Sequence, residues 1–329
     1  MGTNNDMNNN IIIKIDNLSK YFPVNSGLFS FSKKIVKAVD NVSLGIYKGE
    51  TFALVGESGS GKTTLGRCLV FLESINSGKI LFNGEDISRL DSSGLKTFRK
   101  KMQIIFQDPF SSLNPRIKIS DIVTEGLIEH DIISKKNKIE IAGHLLESVG
   151  LDYKYMDRYP HEFSGGQRQR INIARAIAMN PEFIVCDEPV SALDMSVRTQ
   201  ILNLMLDLKS KLNLSYLFIS HDMSVVYNIA DRAAVMYGGR ILELGCVDNI
   251  FAEPLHPYTE LLISSIPKPD PELKKNKIAV DENYYIPDSG CKFFPRCKYC
   301  TDQCKNSTPQ LFEITPGHFS ACYLNLNKK

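Results

Sequence analysis

The sequence predicts an α/β fold built on a buried parallel sheet, and three observations carry that prediction. Thr51-Phe52-Ala53-Leu54-Val55 is a short apolar run that leads into the glycine-rich Gly56-Glu57-Ser58-Gly59-Ser60-Gly61-Lys62-Thr63, after which Thr64-Leu65-Gly66-Arg67-Cys68-Leu69-Val70 reads as a helix. Phe183-Ile184-Val185-Cys186-Asp187-Glu188 is a second apolar run, ending in two carboxylates, as expected of a strand buried on both faces. The 329 residues, 43% of them apolar, suit one large α/β domain with an appendage.

Residues 1–10 are polar and lack the apolar stretch of a secretory signal, and Asp6 stands where a myristoylation motif needs Ser or Thr. They read as a disordered leader. Ile11-Ile12-Ile13-Lys14-Ile15 is β-branched and reads as an edge strand opening an antiparallel β subdomain. A surface loop from Asn25 to Lys34 interrupts that pairing before Ala38-Val39-Asp40-Asn41-Val42-Ser43-Leu44.

Residues Gly56 to Thr63 fit G-x-x-x-x-G-K-[ST], the phosphate-binding loop. Glycines at 56, 59 and 61 let backbone N–H groups turn toward phosphate at a helix N-terminus. Lys62 is placed to reach the β- and γ-phosphates, Thr63 to offer its hydroxyl to magnesium, and Ser58 and Thr64 complete the candidate ATP contacts. Asp187 would hold Mg2+ through water and Glu188 would polarise the attacking water, because phosphoryl transfer needs positioned charge and an aligned nucleophile.

Downstream of Ile105-Phe106-Gln107-Asp108-Pro109 the pattern turns helical. Apolar residues recur every three or four positions in Ser120–Leu127 and Ile139–Val149, which predicts a helical subdomain over about 108–164. Pro109 and Pro115 stiffen the approach to it.

Ser164-Gly165-Gly166-Gln167-Arg168 resembles the signature loop of the ATP-binding cassette (ABC) family, and the elements above follow in that family's order. The resemblance implies a P-loop NTPase core of the ABC type. It also implies roles: Gln107 as the glutamine that contacts magnesium and the membrane partner, and His221 as the switch histidine on the γ-phosphate. Asp194 in Ser191-Ala192-Leu193-Asp194 would communicate across a dimer, and Phe22 would stack on adenine with Tyr21 as the fallback. Glu188, His221 and Gln107 are then the catalytic set, while Ser164, Gly165, Gly166 and Gln167 complete the ATP site of a second copy.

Three longer segments, Gln107–Arg116, Arg158–Ser164 and Pro254–Thr259, closely resemble the ATPase subunits of dipeptide and oligopeptide permeases over residues 11 to 325. The domains expected are 11–265 for nucleotide binding and 266–329 for a small Cys-rich C-terminal module. With one phosphate loop and one signature loop per chain, the working unit is a pair of cassettes, and the family implies a heterodimer. Two transmembrane permease subunits and an extracytoplasmic substrate-binding protein are the other implied partners, with this chain peripheral on the cytoplasmic face of the membrane. Nickel permeases share the lineage and leave the substrate open; a soluble non-transport cassette ATPase is the more distant alternative.

Pro267-Lys268-Pro269-Asp270-Pro271 reads as a linker. Beyond it lie five of the eight cysteines: Cys291, Cys297, Cys300, Cys304 and Cys322. A cytosolic setting disfavours disulfides, so metal is the natural reading. The family resemblance implies a [4Fe-4S] cluster on Cys291, Cys297, Cys304 and Cys322. Cys300 is an extra candidate in a local run partly like ferredoxin spacing, and zinc, with His318 replacing a thiolate, and an unmetallated fold both stay open. Cys68, Cys186 and Cys246 read as small buried hydrophobes. A formal net charge of +2 gives no reason to expect nucleic acid, and no run reaches the length of a membrane span.

Overall fold

The computed structural model of the chain describes residues 10–25, 33–134, 136–266 and 285–328. The leader up to residue 9, the interior of the 25–34 loop and the Pro267–Pro271 linker lie outside the described residues. In chain order the elements are β1 (Ile11–Asn25), β2 (Lys33–Tyr47), β3 (Thr51–Val55), α1 (Lys62–Leu69), β4 (Ser77–Phe82), β5 (Glu85–Asp86), α2 (Ser92–Lys101), β6 (Met102–Ile105), α3 (Ile119–Glu129), α4 (Lys138–Ser148), α5 (Gly165–Ile177), β7 (Phe183–Asp187), α6 (Met195–Leu212), β8 (Ser215–Ser220), α7 (Met223–Ile229), β9 (Arg232–Tyr237), β10 (Arg240–Cys246), α8 (Val247–Ala252), α9 (Pro257–Ser264), α10 (Asp302–Asn306), β11 (Phe312–Thr315) and β12 (His318–Ser320). They fall into two compact units, each discontinuous in sequence.

The first unit is mainly Arg89–Ile219. Its centre is β7, paired in parallel with β6 through Phe183–Met102 and with β8 through Phe183–Ser215. Every residue of β7 is buried, which is why the strand reads as an unbroken apolar run rather than an alternating one. Ile119, Ile122, Val123 and Leu127 line the buried face of α3, while Ala142 and Leu146 do so on α4. The three- and four-residue spacing is thus the packed side of each helix. Arg170 of α5 donates to Val149 O at 2.6 Å, closing the end of α4.

The second unit comprises Ile13–Gly45, Thr51–Ser88 and Ser220–Lys329. One antiparallel sheet has the order β2-β1-β4-β5, so β1 is an interior strand and not the edge expected from sequence. Ile13, Ile15 and Leu18 of β1 are all buried. The other sheet of this unit runs β11-β12-β10-β9-β3, with β3 parallel to β9 and the remaining pairs antiparallel. Ala53 and Val55 of β3 share one apolar core with Val235, Tyr237, Tyr258, Phe293 and Ala321. The C-terminal residues are therefore built into the same core as the strand that leads to the glycine-rich loop.

Cys68 and Cys186 are buried, and burial raises the Cys68 thiol to about 12 and the Cys186 thiol higher still. Cys246 departs from expectation: it is exposed, because it is the last residue of β10 and faces out where the strand yields to α8.

Candidate nucleotide site

β3 ends at Val55 and α1 begins at Lys62, so the glycine-rich segment is the strand-to-helix turn that phosphate binding requires. Two of its glycines are obligatory on steric grounds. Gly56 (φ 154°) carries its hydrogen where a Cβ would lie 2.1 Å from Met236 O, and Gly61 (φ 107°) where a Cβ would lie 1.9 Å from Ala38 O. Gly59 (φ 78°) faces open space, so there only the backbone conformation favours glycine. The Lys62 ammonium is held inside the loop by Gly56 O at 2.7 Å, Glu57 O at 2.8 Å and Ser60 Oγ at 3.3 Å. Ser58 and Gly59 are exposed, while Thr63 and Thr64 are half-buried on the first turn of α1.

In the other unit, buried Asp187 closes β7 and half-buried Glu188 follows it. Glu188 holds φ 47°, an uncommon backbone state for a side-chain-bearing residue. It is fixed there by its N–H to Ile219 O (3.0 Å), and its carbonyl accepts from Ser191 N–H (3.2 Å) and Ser191 Oγ (3.1 Å). Gln107 Nε2 donates to Glu188 Oε2 at 3.2 Å, so the glutamine after β6 and the carboxylate after β7 meet although 81 residues separate them.

Ser164 caps α5, accepting the Gln167 N–H at 3.4 Å, while Gln167 Oε1 accepts the Ser164 N–H at 3.0 Å. This reciprocal pair is a capping box, and it commits the Gln167 side chain to the helix start. Gly166 is packed so closely that a Cβ would lie 2.4 Å from Val197 Cγ1, on the first turn of α6. Asp194 caps α6 through Val197 N–H and Ser196 Oγ, both at 3.0 Å, and the Val197 amide followed by the Ser196 hydroxyl lowers its carboxyl pKa. The segment after Gln107 is tied to α5: the Arg168 guanidinium lies 4.0 Å over the Phe110 ring, and Arg175 donates to Ser112 O at 2.8 Å.

His221 follows β8 and is exposed. Phe22 is half-buried on β1 with Lys20 Nζ 4.8 Å from its ring centroid. Tyr21 is on the opposite face of the strand, its hydroxyl donating to Asp40 Oδ1 at 2.8 Å.

Two family comparisons bear on these residues. The ABC transporter family matches residues 39–191, and the family "Oligopeptide/dipeptide transporter, C-terminal region" matches 242–304. The chain is 46% identical to the oligopeptide transport ATP-binding protein AppF of Bacillus subtilis (strain 168), over 96% of this chain and 98% of that protein. It is also 46% identical to the dipeptide transport ATP-binding protein DppF of Haemophilus influenzae, over 98% of this chain and 99% of that one. The chain belongs to the ATP-binding subunits of peptide ABC transporters. Among solved structures, the ATP-binding cassette MJ0796, dimeric in a post-hydrolysis state with ADP and Pi, superposes with a TM-score of 0.64 at 27% identity, covering 71% of this chain and 98% of that one. Clostridium perfringens cbiO1, part of the ABC transporter complex cbiONQ, gives 0.63 at 26% identity, covering 74% and 92%. The mixed α/β cassette fold expected from the resemblance is thus the fold observed. Among the described residues, no helix is long and apolar enough to cross a membrane.

In this peptide-transporter ATPase, Cys291, Cys297, Cys304 and Cys322 line one small cleft with His256, Phe294 and Tyr323. Cys300 does not line it; its thiol is directed at Thr301 O, 3.5 Å away. Burial raises the Cys291 thiol to about 12 and the Cys322 thiol to about 11. Among the described residues, no three His, Cys, Asp or Glu side chains are gathered as ligands of a single ion. His318 is engaged elsewhere: its Nε2 lies 2.8 Å from Glu243 Oε1, in a buried pair.

Sequence reasoning passed over two residues that touch the loop, Tyr258 and Arg296. The Tyr258 hydroxyl accepts the Glu57 N–H at 2.8 Å, and Arg296 forks onto the Glu57 carboxylate. The available signal was Glu57 itself, a carboxylate inside an anion-binding loop.

Proposed function

We propose that this chain binds and hydrolyses ATP to drive uptake of di- and oligopeptides across the cytoplasmic membrane, working from its cytoplasmic face. The observation that carries the reading is an intact phosphate loop, sterically restricted to glycine at 56 and 61, in a chain 46% identical to peptide-transport ATPases over nearly its full length.

In this reading Lys62 and the loop amides hold the β- and γ-phosphates, and Phe22 stacks on adenine. The Thr63 hydroxyl, Gln107 and Asp187 would hold magnesium, which would supply neutralisation of phosphate charge. Glu188 accepts the proton of the attacking water, oriented by its contact with Gln107, and His221 stabilises the γ-phosphate. Ser164, Gly165 and Gly166 present the N-terminus of α5 to the nucleotide of a second cassette, a related but different chain, and Asp194 lies at that junction. The pairing of Phe110 with Arg168 links the segment facing two permease subunits to the signature helix. An extracytoplasmic binding protein delivers the peptide.

The deciding experiment is affinity purification of tagged protein from detergent-solubilised membranes in ATP. Recovery of two polytopic permeases, a second cassette and a binding protein loaded with peptide is expected. Ribosomal or DNA-bound partners without a permease would overturn the transport reading, and nickel in the binding protein would overturn the peptide.

We also assign the four-cysteine cleft as a [4Fe-4S] site. A cluster distributes its thiolates over several irons, so its ligands need not converge on a point as zinc ligands must, which suits four thiols around one cleft without a single-ion centre. The cluster would supply a covalent staple to a small module. Anaerobically purified protein should contain iron and acid-labile sulfide, both lost in Cys304→Ser and both kept in Cys300→Ser. Zinc in place of iron, or loss of iron in Cys300→Ser, would remove this assignment.

A further inference from the structure

Glu57 occupies the first variable position of the phosphate loop, between Gly56 and Ser58, where its negative charge opposes the binding of a polyphosphate. Arg296, from the C-terminal module, answers that charge. Its Nη1 donates to Glu57 Oε2 at 2.8 Å and its Nη2 to Glu57 Oε1 at 2.9 Å, a two-point fork. The arginine side chain is only 6% exposed and lies against the rings of Tyr237 and Phe293, so its direction is set by packing. A second contact comes from Tyr258, fully buried on α9, which takes the Glu57 N–H. His256 caps that helix by accepting the Tyr258 N–H at 3.0 Å, so the His256-Pro257-Tyr258 motif serves to bring the tyrosine hydroxyl to the loop. Both backbone and side chain of Glu57 are thereby held by residues outside the loop.

The geometry points to Arg296 as a positioning residue of the ATP site: it neutralises Glu57 and fixes the entry of the phosphate loop, making the C-terminal module a working part of nucleotide binding. The inference rests on reading Gly56–Thr63 as the phosphate loop. Two effects follow from removing the guanidinium, loss of the fork and exposure of the phosphates to an uncompensated carboxylate. The second is specific to charge and can be isolated.

The test measures ATP affinity of the full-length chain by competition with a fluorescent ATP analogue, with circular dichroism as the check on folding. Arg296→Ala should weaken ATP binding about tenfold or more. Adding Glu57→Gln to Arg296→Ala should restore most of that loss, because the opposing charge is gone. In the assembled transporter the Arg296→Ala defect should fall on KM for ATP more than on kcat. Wild-type affinity in Arg296→Ala, or a double variant no tighter than the single, would overturn the proposal. If Arg296→Ala does not fold, Arg296→Gln replaces it, keeping a hydrogen-bonding side chain without charge, and the same outcomes decide. Lys62→Ala separates the two levels of failure: ATP affinity unchanged there would overturn the loop reading itself, whereas lost affinity there with no Arg296 effect would overturn only the positioning role.

Discussion

Replacing Glu188 with Gln should leave ATP binding intact while hydrolysis falls about 10²- to 10⁴-fold, the range expected when a general base is removed. The substitution keeps the shape of the side chain and takes away only its ability to accept a proton. The backbone frame should survive, since Ile219 O, Ser191 N–H and Ser191 Oγ hold the main chain of Glu188 and not its carboxylate. Binding without turnover should accumulate the closed cassette pair. Steady-state ATPase activity and equilibrium ATP binding, measured on one preparation, check both halves, and turnover at the wild-type rate would take the base role away from Glu188.

Gly61→Ala should abolish ATP binding and lower stability by at least about 1–3 kcal/mol, the cost of forcing a side chain into a sparsely populated backbone region. Here the strain is compounded by collision: the new methyl would sit 1.9 Å from Ala38 O and 2.8 Å from Met236 Cε. The carbonyl belongs to β2 and cannot rotate away as a side chain could. Gly59→Ala is the matched control, with positive φ but nothing within 4 Å, so it should cost only about 1–2 kcal/mol and keep measurable binding. Thermal melts and ATP titrations of the two variants check the contrast. Equal behaviour would mean that local conformation, and not the β2 carbonyl, governs the loop.

Much of the cassette was readable because its signals are local. The run Phe183–Asp187 declares a strand buried on both faces, and Gly56–Thr63 combines a strand, a turn and a helix start within one short span. The buried faces of α3 and α4 follow from three- and four-residue spacing. Neighbour relations were less legible. β1 reads as an edge although strands flank it on both sides, because composition reports burial but not how many strands flank a strand, and Cys246 reads as buried although it terminates one. The union of Gln107 with Glu188 and of Arg296 with Glu57 depends on which strand ends and loops the topology brings together. No periodicity encodes such pairs, and a bare arginine before Cys297 does not announce its partner.

The clamp on Glu57 also imposes an order on synthesis. Arg296 lies 239 residues beyond the residue it holds, so at ordinary translation rates the loop leaves the ribosome roughly ten to fifty seconds before its counter-charge is made. Throughout that interval the nascent chain carries a glycine-rich loop whose own carboxylate repels nucleotide. If the fork sets the affinity, ATP binding would strengthen only once the segment carrying Arg296 has docked, and a chain stopping short of residue 296 would be held from the nucleotide-bound state.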